Sequence, residues 1–168
     1  PDGWSDPRVI SPTVAAHPTH WQFSFTATGD LYFTSEAPGM PGGQGIAVAR
    51  REGDGFAEPV SLGDGVNSDA REFCPFIAPD ESYLLFSRSG VDRRGRSDLF
   101  VSFRDESGRW SLAVPLGIAV NTEHNEVCPV VTADGQYLVF LRASSEMNDV
   151  FWMQADLIED LRRQNTAR

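Results

Sequence analysis

The side chains of this sequence with the most obvious chemistry are three histidines, two cysteines, a recurring pair of glutamates and one cluster of arginines. Their spacing bounds what they can do. His20 and His124 stand near the beginnings of strand-like runs, while Glu72 and Glu126 open the runs "EFCPFI" and "EVCPVV". Imidazole and carboxylate are ordinary ligands of a divalent metal. Two facing carboxylates also suit general acid–base chemistry. His17, His20 and His124 lack the short-range spacing of a ligand set, so the sequence predicts no metal centre and implies no cofactor. The glutamates lie 54 residues apart, and a carboxylate that recurs with a repeat is expected to serve structure in each copy. No residue is assigned a catalytic role.

Cys74 and Cys128 hold equivalent places in two copies of the same phrase, and there is no CxxC pair that would suggest zinc or a disulfide framework. A disulfide needs Cα atoms within about 7 Å. Adjacent repeats are expected to hold these strands further apart, leaving free, buried thiols with no base beside them in sequence. Arg93, Arg94 and Arg96 crowd the loop "GVDRRGRSD", where they could grip the carboxylate of an acidic sugar or a protein partner. The Gly/Pro-rich loop "SEAPGMPGGQG" reads as a mobile rim element. There is no GxSxG elbow and no phosphate-cradling glycine motif.

Composition removes several function classes. The chain has 168 residues, 40% of them hydrophobic, and a formal net charge of -10. Such a charge repels phosphate backbones, so nucleic acid is not expected as a partner. No apolar run approaches the roughly 18 residues of a membrane helix, so no membrane insertion is expected. The opening "PDGWSDPRVI" reads as mid-domain sequence, as if a leader had been removed or the chain were a fragment.

The elements that must position these residues come from a repeat. Cys74 and Cys128, Pro75 and Pro129, Asp80 and Asp134, Phe86 and Phe140, and Asn67 and Asn121 all share the step of 54 seen for the glutamates. A weaker first copy places Trp21 53 residues before Cys74 and Phe33 53 before Phe86. Each copy divides into short runs of alternating aromatic or β-branched and polar residues, in the second copy "EFCPFI", "SYLLFSRS", "DLFVSFR" and "RWSLAVPLG". Four antiparallel strands in about 50 residues is the size of one propeller blade. Pro75 and Pro129 cannot donate to a ladder and are expected at a bulge or an unpaired strand side. Trp4, Phe56 and Trp110, at steps of 52 and 54, are expected to anchor fourth strands between neighbouring sheets.

The pattern E-x-C-P-x-x-x-x-D-x-x-Y-L-x-F, followed by D-[LV]-[FY] and, in the second copy, G-x-W-S, resembles the TolB-like, Pro-Asp variety of WD40-like β-propeller repeat. The resemblance runs from Trp4 to about Met153. The first copy departs from it, with "FTATGDLYF" lacking Pro-Asp and Gly45 replacing an Asp, so a less regular blade is expected there. The resemblance implies a bacterial periplasmic or secreted setting and a binding module; some relatives are polysaccharide lyases, certain of which use histidines and a metal.

The expected fold class is therefore all-β: three four-stranded antiparallel blades, half of a six-bladed ring, with a short C-terminal helix. Blade one covers about 17–63, blade two about 70–117 and blade three about 123–155. Residues 3–10 read as a fourth strand able to complete a blade, and the last copy lacks its own. Residues 156–168, "DLIEDLRRQNTAR", form a helix with one apolar stripe and a tail. Three blades cannot close a ring. A second copy of the chain or a missing half must complete it, and the abrupt start favours the missing half. The expected function is a non-enzymatic binding or scaffold module that recognises a protein or glycan through its loops and channel mouth. His20, His124, Glu72, Glu126, Arg93, Arg94 and Arg96 are the candidate ligand-binding residues. The alternative is a lyase or hydrolase of acidic polysaccharide, which requires His20, His124 and a Glu to converge.

Overall fold

The computed structural model describes residues 3–90, 97–146 and 148–166, without the side chains of residues 19–21. Its architecture is mostly β, in antiparallel sheets that follow one another along the chain. After a short helix α1 (Pro12–Ala16), the first sheet contains β1 (Thr19–Phe25), β2 (Leu31–Ser35) and β3 (Gly45–Ala49). A small hairpin, β4 (Arg51–Glu52) with β5 (Gly55–Phe56), interrupts it before β6 (Val60–Ser61) closes the order β1-β2-β3-β6. The second sheet runs β7 (Arg71–Ile77), β8 (Tyr83–Ser89), β9 (Ser97–Phe103) and β10 (Val114–Pro115) in sequence order. The third has three strands, β11 (Asn125–Val131), β12 (Tyr137–Ala143) and β13 (Asn148–Gln154), and the helix α2 (Leu157–Thr166) follows.

The repeated residues do repeated work. In β7 the register slips between Phe73 and Phe76, and in β11 between Val127 and Val130, so each Cys-Pro pair is a bulge. Proline's missing N–H thus falls where the ladder is already broken. Each Asp of the following turn bonds its own backbone, Asp80 Oδ1 accepting from the Ser82 N–H at 3.0 Å and Asp134 Oδ1 from the Gln136 N–H at 3.1 Å. Asn67 and Asn121 act as one-residue strands. Asn67 accepts from the Ile46 N–H at 2.7 Å and donates to its carbonyl at 2.9 Å; Asn121 does the same with Leu99 at 2.9 and 3.0 Å.

Packing between sheets also recurs. Tyr32, Ile46, Val48 and Val66 meet Ile77, Leu84, Phe86 and Phe100 between the first and second sheets. One step on, Leu85, Leu99, Val101 and Val120 meet Val131, Leu138 and Phe140 between the second and third. The second sheet thus buries one face against the first sheet and the other against the third. Full burial of such side chains contributes about 1.5–3 kcal/mol apiece. Leu31, Phe33, Ala47 and Ala49, on the opposite face of the first sheet, are covered by Val14 of α1 and by Phe56. Helix α2 docks as its apolar stripe predicts: Ile158 is buried, Leu157 and Leu161 pack beside it, and the Arg162 guanidinium lies 4.7 Å from the centre of the Phe103 ring.

Of the three expected fourth-strand anchors, Phe56 is buried and Trp110 meets Tyr32 edge-on at 6.4 Å. Trp4 is fully exposed, and residues 3–10 form no strand. The loop "SEAPGMPGGQG" is not the loose rim element that its composition suggests. Met40 packs on the first sheet's cluster, Gln44 is buried and accepts from the Glu72 N–H at 3.2 Å, and a Cβ on Gly42 would meet the Ala70 carbonyl oxygen at 1.7 Å.

Candidate functional site

The two glutamates do not face a ligand. Glu126 is fully buried and accepts from the Thr122 N–H at 3.0 Å, the Thr122 hydroxyl at 2.6 Å and Arg142 Nε at 2.7 Å. Arg142 donates in turn to the Val120 carbonyl at 2.8 Å and lies 4.5 Å from the centre of the Phe151 ring. Glu72, also fully buried, repeats the unit with Ser68, Arg88 at 2.8 Å, the Val66 carbonyl and Phe100. Burial raises the Glu72 carboxyl above its ordinary value despite Ser68 and Arg88, and burial likewise lowers Arg88. Desolvation thus opposes the ion pair, as expected for a buried charge whose use is to fix geometry. The recurring carboxylates bind their own sheet's arginine and the preceding turn, not a neighbouring sheet's backbone.

His124 does stand at a surface hollow of about 460 Å³, lined with Glu123, Asn125, Ala143, Ser144 and Ser145 between the start of β11 and the end of β12. One repeat earlier its place is taken by Ala70, so this imidazole is not part of the shared scaffold. His20 lies in β1 with its side chain outside the described residues. Arg93, Arg94 and Arg96 also lie outside the described residues. His17 pairs with Glu58 at 3.0 Å near the surface. Among the described residues, no three His, Cys, Asp or Glu side chains gather as metal ligands.

Three features are not visible as sites in the sequence. The first is Glu81, in the turn before β8, which takes hydrogen bonds from Tyr32, Arg50 and Arg104 and so ties the first sheet to the second. It sits at φ 60, where the next copy has Gly135 at φ 74. A glutamate in a glycine's place was the available signal. Burial works against the charged Glu81, but Tyr32 and Arg50, then Arg104, outweigh it and lower its pKa below the ordinary 4.5. A depressed folded-state pKa contributes stability that is present above the unfolded value and lost as pH falls through the folded one. Melting temperatures of the unchanged chain are therefore expected to fall more steeply below about pH 4.5 than those of Glu81→Gln; parallel curves would refute the assignment.

The second is a thiol pair. The Cys74 and Cys128 sulfurs lie 3.4 Å apart, both free. As expected, both thiols are free and Cys74 is buried; against expectation, Cys128 is only half-buried and the two sulfurs are in contact, each cysteine sitting at its strand's bulge. Cys74 and Cys128 have φ of 54 and 61, and Gln22 in β1 has φ 68. Such backbone is uncommon for residues other than glycine and costs of order 1–3 kcal/mol per residue. The Cys74 thiol, aided by the Gln22 amide and against burial, brings the Cys128 thiol down to about 7. The Cys74 thiol itself is pushed up by the same hydrogen bond and by burial.

The third is the outward face of the third sheet. Val139, Val150 and Trp152 take the places that Leu85, Leu99 and Val101 occupy in the second sheet's register. Leu85, Leu99 and Val101 are 0% exposed, whereas Val150 is 70% and Trp152 67% exposed. With Thr132 and Tyr137 they line a shallow apolar hollow, the Tyr137 and Trp152 rings crossing at 88°. Among the described residues, β13 pairs with β12 alone, so its other edge is open. No helix of the described residues is long and apolar enough to cross a membrane. No protein-family model matches the chain, and no curated protein matches it.

Proposed function

We propose that the chain is a non-enzymatic binding and scaffold module of β-propeller architecture, three blades of a six-bladed ring, whose principal partner is a second copy of itself. The carrying observation is the bare outward face of the third sheet, at positions that are fully buried in the sheet before it. Each earlier interface is formed by the next sheet settling on that face, so the third presents the same docking surface without its occupant. A second copy brings two matching parts. Val60 stands 11 residues before β7 and Val114 11 before β11; Arg8 stands 11 before β1, inside the exposed run that follows Trp4. Residues 4–10 of one copy then lie along the open edge of the other's β13 as its fourth strand. The first sheet of that copy, with Val14 of α1 and Phe56 over its outer face, closes on Val150 and Trp152 through that cover, and a two-fold axis repeats the contact. The hollow beside His124 is a rim site for a protein or glycan ligand, and the periplasmic or secreted setting implied by the repeat suits such a module.

Sedimentation of the unchanged chain should give a particle of twice 18.5 kDa at micromolar concentration. Val150→Glu with Trp152→Glu should return it to a folded single chain, since a charge on each side chain would have to be buried unpaired. An unchanged chain that stays a single copy up to hundreds of micromolar would overturn the pairing.

A further inference from the structure

We infer that Cys74 and Cys128 form a thiol–disulfide exchange site that takes small or protein disulfides as oxidants and locks the second and third sheets together. The geometry is already close to the product. Their sulfurs are 3.4 Å apart, against about 2.05 Å in a disulfide, so small side-chain rotations can close the bond. Both backbones are pinned at the bulges: the Cys74 N–H donates to Thr34 Oγ1 and the Cys128 N–H to Ser87 Oγ, each at 3.2 Å. In each case the hydroxyl belongs to the preceding sheet, so the two cysteines are held by a frame that spans all three sheets. The same cysteine recurs one step apart, yet in the first copy the positive-φ residue of the bulge is Gln22, one place after the Trp21 that the sequence step aligns with Cys74, so the scaffold does not require a thiol there.

The two sulfurs have different roles. Cys128 is half-buried and Cys74 buried, so an incoming disulfide meets Cys128 first. With its thiol brought down to about 7, Cys128 is substantially thiolate near neutral pH. The Cys128 thiolate attacks one sulfur of RS–SR and expels RS⁻, leaving a mixed disulfide on Cys128. Cys74 then gives up its proton, attacks Cys128 Sγ and expels the second RS⁻. The protein dithiol is oxidised by two electrons, RS–SR is reduced to two RSH after protonation, and one S–S bond forms for the one that breaks. The new link closes 54 residues of chain between neighbouring sheets. It therefore restricts the unfolded chain more than the folded one.

The test uses the whole chain, fully reduced and then treated with oxidised glutathione. The expected product has lost two hydrogens, carries no glutathione and has no titratable thiol. Its melting temperature is higher by about 10 °C and reverts on addition of dithiothreitol. Cys74→Ala should stop at one glutathione on Cys128, and the rate of adduct formation should titrate at higher pH than the unchanged chain's reaction, because the Cys74 hydrogen bond is gone. Two glutathiones on the unchanged chain, thiols that stay unreacted, or a disulfide only between separate chains would each overturn the inference. None of these outcomes depends on ring closure, so the result is independent of the mass measurement.

Discussion

Glu126→Ala is expected to lower the unfolding free energy by about 3–5 kcal/mol, read as a shift in the urea midpoint. The carboxylate is fully buried and is the counter-charge of Arg142, whose side chain is only 15% exposed. Truncation leaves that guanidinium half-desolvated between the Val120 carbonyl and the Phe151 ring, and it strips the Thr122 N–H of its acceptor. Glu126→Gln keeps the shape and one acceptor oxygen and should cost clearly less. Glu58→Ala removes an exposed partner of His17 and should change stability by less than about 1 kcal/mol. If Glu126→Ala proved as mild as Glu58→Ala, the Glu–Arg unit would not be the pin that the repeat suggests. The Glu72 counterpart should behave alike.

The second large effect is a contrast between two aromatic truncations. Phe86→Ala should cost about 3–5 kcal/mol, because the ring is fully buried between the first and second sheets and stacks on Phe100 at 6.2 Å. Trp152→Ala removes a larger ring, yet in dilute single-copy solution it should cost less than about 1 kcal/mol. Its ring is two-thirds exposed and touches Tyr137 rather than a neighbouring sheet. Residue size alone predicts the opposite order. Equal costs would mean that the third sheet's outward face is covered within the chain itself. The proposed pairing of two copies further predicts that the Trp152→Ala penalty grows with concentration, because pairing would make the same position interior.

Much of the architecture was legible in the sequence because it is written more than once. The 54-residue step located the strands, the bulge prolines and the Asp turns, and an apolar stripe located the docked C-terminal helix. The step also marked Glu72 and Glu126 as structural, since a side chain repeated in successive copies answers to something that those copies share. Local chemistry sufficed for these: a proline finds the gap in a ladder, an Asp caps its own turn, and an alternating run buries one face.

The sites were less legible, because periodicity reports what copies have in common and a site depends on how they meet. Cys74 and Cys128 lie far apart in sequence, and only left-handed backbone at two bulges on neighbouring strands brings their sulfurs into contact. Glu81 gains its three partners from elements up to 49 residues away. Trp4 and Trp152 carry the residue types of packed positions but are exposed, since a sheet's burial is decided by whether another sheet lies beside it. The sequence by itself determined the repeating strands and the residues that stiffen them, through short-range bonds that each copy makes alone. Tertiary structure decided which thiols touch, which carboxylates are buried and which apolar face remains open, because these depend on distances between copies that no single copy encodes.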